Sequence, residues 1–153
     1  MSEGKRIADL HRKAYDGPSW HGPHVFEVLE SVDATLASSH PVEGAHSIWE
    51  IVLHMRVEEE IVLRLLQGGA VRQPTPEEDW PTAGGGETGW TNALAALRKI
   101  HDELNRTIED LDDAKLETVP PGGRRTFYEL AHGAVAHALY HAGQIAILRK
   151  ARA

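Results

Sequence analysis

Apolar positions recur at helical spacing through most of the chain. In the stretch after Pro23, Val25, Phe26, Val28, Leu29, Val32 and Leu36 share this period, which predicts a first long helix over about 23–38, with proline in its first turn. A second predicted helix opens on the capping-box pattern Ser47-Ile-Trp-Glu50 and runs to about Leu66, before Gly68-Gly69. A third starts near Glu87 or Thr91 and carries the stripe Leu94, Leu97, Ile100, Leu104, Ile108 and Leu111. Asp112 and Asp113 read as the cap of a short turn to Leu116. Pro120-Pro121-Gly122-Gly123 is a break. A second capping box, Thr126-Phe-Tyr-Glu129, opens the fourth helix, which runs to about Lys150. Residues 4–15 read as a shorter amphipathic helix, ended by Gly17-Pro18. No segment alternates as a strand does, and there is no internal repeat.

This pattern predicts an all-α fold, a four-helix bundle filling one domain over residues 1–153. One connection is unusually long. Residues 68–89 include Pro74, Pro76, Pro81 and Gly84-Gly85-Gly86 and read as a link without helix. Links in bundles are usually short. A link of this length can run the height of the bundle, so the second and third helices are expected to be parallel and the second and fourth antiparallel.

Composition narrows the chemistry. The chain has 153 residues, a formal net charge of −7, ten histidines and no cysteine. The negative charge argues against a general nucleic-acid binder. Without cysteine there is no disulfide, thiolate zinc site or cysteine nucleophile, so any metal would be held by nitrogen and oxygen. The charged N-terminus lacks the apolar core of a secretory signal. Leu130 to Leu148 is free of Asp, Glu, Lys and Arg and is long enough to span a bilayer. Its three histidines, glutamine and two glycines fit a helix buried in protein better. The expected setting is cytoplasmic, without membrane partners.

The histidines stand out in "HALYHAGQI", residues 137–145. Residues four apart on a helix are neighbours. His137 and His141 fall on the stripe Phe127, Leu130, Ala134, Ile145, Leu148, so both rings face the core, where imidazole needs a partner. That partner is either backbone or a carboxylate, in a structural role, or one metal ion. A third ligand would come from the second helix, where Ile51, His54, Glu58, Ile61 and Leu65 share a face. At a rise of about 1.5 Å per residue, His137 and His141 lie roughly 15 and 21 Å from the start of their helix, and His54 roughly 18–20 Å from the end of its own. These heights match if the two helices are antiparallel. Glu58 suits a fourth ligand, an acceptor behind a ligand, a general base or simply an edge carboxylate. Gln144 suits either orientation of His141 or a backbone bond.

The other aromatic and histidine positions read as structural. His132 is turned away from the pair and suits a helix or dimer contact. Trp20-His21 suits a pocket mouth or packing under the first helix. His11, His24, His40, His46 and His101 read as surface or helix-end residues, and Trp49, Trp80, Trp90 and Tyr140 as core or loop anchors. Nucleophile-elbow, phosphate-loop, dinucleotide and H-E-x-x-H motifs are absent from the sequence.

"HSIWEIVLHM" in the second helix and "HALYHAGQI" in the last, with "WHGPHVFEVLESV" and "PEEDWP", resemble the DinB-like (DinB/YfiT-like) superfamily over nearly the whole chain. The resemblance implies an up-down-down-up four-helix bundle with its long crossover between the second and third helices. It also implies a metal site at His54, His137 and His141, with zinc or nickel typical, and a homodimer. Some members are transferases or isomerases that use low-molecular-weight thiols, and others are assigned only as metal-dependent hydrolases. Where many relatives carry arginine after the last histidine, this chain has Ala142, so that arginine's role is not carried over. The reading is a metal-dependent hydrolase or thiol-dependent transferase of an unknown small-molecule substrate. The alternatives are a non-enzymatic metal-binding or stress-related binder, and a dimerisation module.

Overall fold

The computed structural model describes residues 1–151. Eight helices and no strand occur among them. Four are long: α1 (Glu3–Asp16), α4 (Ile48–Leu66), α6 (Gly86–Glu109) and α8 (Phe127–Lys150). Four are short: α2 (Val25–Leu29), α3 (Ala34–Ser38), α5 (Pro76–Asp79) and α7 (Asp113–Leu116). The apolar interior is one cluster reaching from Ile7 to Leu148, with Met55, Leu97, Leu104 and Ile145 fully buried at its centre.

Both predicted capping boxes form. The Ser47 N–H donates to Glu50 Oε2 at 2.7 Å and the Glu50 N–H to Ser47 Oγ at 3.2 Å. The same pair of bonds joins Thr126 and Glu129. These start α4 and α8 at fixed residues, which sets the heights of the histidines they carry.

The predicted helix over 23–38 is corrected. It breaks into α2 and α3, and the fourth long helix is α1. Asp33 adopts an extended backbone and its carboxylate caps α3 by accepting the Leu36 N–H at 2.8 Å. The broken turn leaves the Val32 carbonyl free for the buried Trp90 indole N–H, at 2.7 Å. Glu87 Oε2 accepts the Ala34 N–H at 3.1 Å. Capping and tertiary bonds from α6 thus outweigh the apolar spacing.

α1 lies against α6. Its Gly4 sits by the carbonyls of Ile108 and Leu111, His11 meets Asn105, and Asp16 pairs with Arg98. A Cβ at Gly4 would stand 2.4 Å from the Leu111 oxygen. Both sides of that contact are backbone, so a Gly4→Ala chain is expected to lose about 1–3 kcal/mol, read as a lower midpoint in chemical denaturation. Trp49 of α4 packs on Trp90 of α6, with ring centroids 5.5 Å apart.

The long link is not free of helix. Thr75 and Glu78 form a third capping box around α5, with Pro76 in its first turn. The Val71 N–H donates to the Pro121 carbonyl at 3.1 Å, which ties the link to the turn before α8. α5 presents Asp79 and Trp80 to α4. Among the described residues no helix is long and apolar enough to cross a membrane.

Candidate metal centre

His54 comes from α4, His137 and His141 from successive turns of α8. The structure brings all three together. His137 Nε2 lies 3.1 Å from His54 Nε2 and 3.0 Å from His141 Nε2. His54 and His141 are buried, and His137 is half-buried.

The opposite ring nitrogens are held from behind. His54 Nδ1 donates to the main-chain carbonyl of Asp79 at 3.0 Å. The Asp79 carboxylate Oδ1 stands 2.9 Å from the same nitrogen, outside its hydrogen-bond direction, and is buried without a donor of its own. His141 Nδ1 donates to Gln144 Oε1 at 2.6 Å, and the Gln144 amide donates on to the Tyr140 hydroxyl at 3.1 Å. Trp80 covers the outer face. Its ring stacks on His54 at 4.1 Å and on His46 at 3.5 Å, both nearly parallel to it.

These bonds decide the tautomers. A carbonyl oxygen only accepts, so His54 and His141 carry hydrogen on Nδ1 and, when neutral, a bare lone pair on Nε2. Burial, reinforced by the neighbouring imidazoles, pushes His137 down to about 3. Burial likewise pushes His141 down to about 4, against the Gln144 bond, which favours its charged form. Both rings are therefore neutral near pH 7. Three nitrogens converge, and a single N–H on His137 satisfies only one of its two neighbours. Buried lone pairs facing one another are costly. A cation between them removes that cost, and ligands about 2.0–2.1 Å from a common ion stand roughly 3 Å apart. The donor set fits a transition metal.

A pocket of about 860 Å³ reaches the group at His137. His137 lies in its wall with Glu58, Leu65, Leu130 and Ala134, and Arg124 and Arg125 stand at its mouth. Glu58 is half-buried and its carboxyl is raised above the usual range, chiefly by desolvation; a charge on His54 would oppose this, and Asp79 adds to it. Glu58 and Asp79 each bring an oxygen near His54.

Several residues differ from the sequence reading. Asp79 and Trp80, which frame His54, lie in a link whose sequence assigned them no chemistry beyond the "PEEDWP" resemblance. Gln144 takes its orienting role. Trp20 is fully exposed, so it does not pack under a helix. His132 rests on Tyr128 at 4.4 Å. His11 and His101 are corrected: both are buried in the core, not on the surface. Removing the Gln144 acceptor should loosen His141. Gln144→Ala is expected to weaken metal binding by about 10–100-fold, measured by competition with a chromophoric chelator.

A family model described as the DinB superfamily matches residues 8–145. No curated protein and no solved structure matches the chain.

Proposed function

The chain belongs to the DinB superfamily, and from that premise we propose that it is a metal-dependent enzyme whose zinc- or nickel-class ion is held by His54, His137 and His141. The observation that carries this reading is the convergence of three imidazole nitrogens whose outer nitrogens are already tied. Three protein ligands leave positions open, as in catalytic sites, whereas structural zinc sites are closed by four. Bound there, the ion supplies Lewis acidity and lowers the pKa of a water or thiol that reaches it. The reaction is hydrolysis, or transfer to or from a low-molecular-weight thiol; the chain has no cysteine, so the thiol is a cosubstrate.

The chain's own residues do the rest. Leu65, Leu130 and Ala134 give the pocket an apolar wall beside His137. Arg124 and Arg125 draw negatively charged groups to its mouth. Glu58, poised by its raised pKa, takes the proton of the nucleophile and returns it to the leaving group. Asp79, Gln144 and Trp80 keep the imidazoles in place.

The same proposal includes the architecture: one domain, with α1, α4, α6 and α8 in up-down-down-up order. It is supported by the pairing of the start of α1 with the end of α6, and of Trp49 with Trp90 near the starts of their helices. A homodimer through α8 is supported by Tyr140 and Ile147, exposed seven residues apart on one face. That face also favours the second reading, a dimerising module without catalysis.

The test is a screen of esters, amides and thiol adducts with zinc- or nickel-loaded protein. A turnover abolished in His141→Ala and slowed in Glu58→Gln is the expected result. Turnover equal in wild type and His141→Ala would overturn the enzyme reading.

A further inference from the structure

A second polar cluster lies inside the core, where α1, α4 and α6 meet. His11, Glu59 and His101 are exposed by only 0%, 2% and 1%. Each brings a ligand atom within 4.8 Å of the others. All three occupy apolar stripes: His11 with Ile7 and Tyr15, Glu59 with Met55 and Leu63, His101 with Leu97 and Leu104. Burying such groups is costly unless each lone pair and hydrogen is met.

The hydrogens do not suffice. His11 Nδ1 lies 3.2 Å from Asn105 Oδ1, which only accepts, so the hydrogen is on Nδ1. His11 Nε2 then presents a lone pair to Glu59 Oε1 at 2.9 Å. His101 Nε2 faces the Asp16 carboxylate across 3.5 Å, a long contact but toward an acceptor, whereas Nδ1 has no acceptor, so the favoured tautomer carries hydrogen on Nε2 and the lone pair on Nδ1. His101 Nδ1 and Glu59 Oε2 are both buried and have no partner. An extra proton on His11 would settle the contact with Glu59 Oε1 alone. It would still leave His101 Nδ1 with nothing to accept from, and Glu59 Oε2 with only the Tyr15 hydroxyl nearby, which makes no hydrogen bond to it in this geometry.

We propose that His11, Glu59 and His101 form a second metal site, which takes a zinc-class divalent cation independently of His54, His137 and His141. One cation answers the three lone pairs together, and two imidazoles with a carboxylate are an established zinc ligand set. Tyr15 stacks on His101 at 4.1 Å and closes one side. Glu59 also lines the 860 Å³ pocket, which gives the ion its route inward. Because the ligands come from three helices, the ion pins α1 and α6 to α4.

The test uses the His137→Ala/His141→Ala chain, which lacks two ligands of the first site, dialysed against cobalt(II). About one ion per chain is expected, lost when Glu59→Gln is added. Crystals should show an anomalous peak between the side chains of His11, Glu59 and His101. A folded double variant, checked by circular dichroism, that holds no cobalt overturns the proposal, as does a peak elsewhere. If the double variant does not fold, the cobalt-loaded wild type decides. A peak at His11, Glu59 and His101 supports the site, and its absence overturns it. Failure of the first site alone would show as a wild-type map with a peak only at His11, Glu59 and His101.

Discussion

His137→Ala is expected to lose the ion held with His54 and His141. The loss in affinity should exceed the about 10–100-fold that follows removal of a group merely orienting a ligand. His137 Nε2 lies within 3.1 Å of both other ligand nitrogens, so it is the shared member of the set. Without it His54 and His141 come from different helices with no nitrogen between them. Metal bound only by the folded chain stabilises it by mass action, by about 4 kcal/mol at a thousandfold excess over Kd. Added zinc should therefore raise the midpoint of thermal unfolding in wild type much more than in His137→Ala. Equal shifts in the two chains would place the stabilising ion elsewhere, with the His11 cluster the first place to look.

The second large effect is on pH. His137 sits at about 3, and His141 and His101 at about 4, all chiefly because burial disfavours the charged ring. In the unfolded chain each returns to about 6.5. The folded pKa values are depressed, so the unfolded chain binds more protons between these limits, and folding loses free energy as pH falls. The contribution is complete above about 6.5 and is lost progressively toward 4, and toward 3 for His137. With all three groups titrating only in the unfolded chain, the slope reaches roughly 4 kcal/mol per pH unit. Denaturation of metal-free protein at several pH values between 7.5 and 5 reads this directly. His137→Ala should flatten the slope by about one proton. A stability that stays level to pH 5 would mean that the rings take up protons without unfolding. Metal retention should fall over the same range, because protons compete for the ligand nitrogens.

α4, α6 and α8 were legible in the sequence because their apolar period is long and two of them open on capping boxes. The heights of His137 and His141 followed from the start of α8, and that of His54 from the glycine stop after α4. The break at Asp33 was not legible, since Trp90 and Glu87, which hold it, come from α6. The buried role of His11 was hidden because α1 is shorter than the apolar run after it. The burial of His101 was legible in principle: it stands four residues after Leu97 and three before Leu104, on the buried stripe of α6. Glu59 likewise interrupts the run from Met55 to Leu63, a position where a carboxylate signals a partner. Asp79 and Trp80 had no periodic signal. Only the path of the link, tied by Val71 to Pro121 and capped at Thr75, sets them over His54.

The most direct test of the three-histidine centre is an anomalous-difference map of wild-type crystals, collected across the edge of the metal found in the purified protein by elemental analysis. A peak is expected about 2 Å from each of His54 Nε2, His137 Nε2 and His141 Nε2. Well-ordered rings with no peak between them, in crystals grown with excess zinc or nickel, would contradict it.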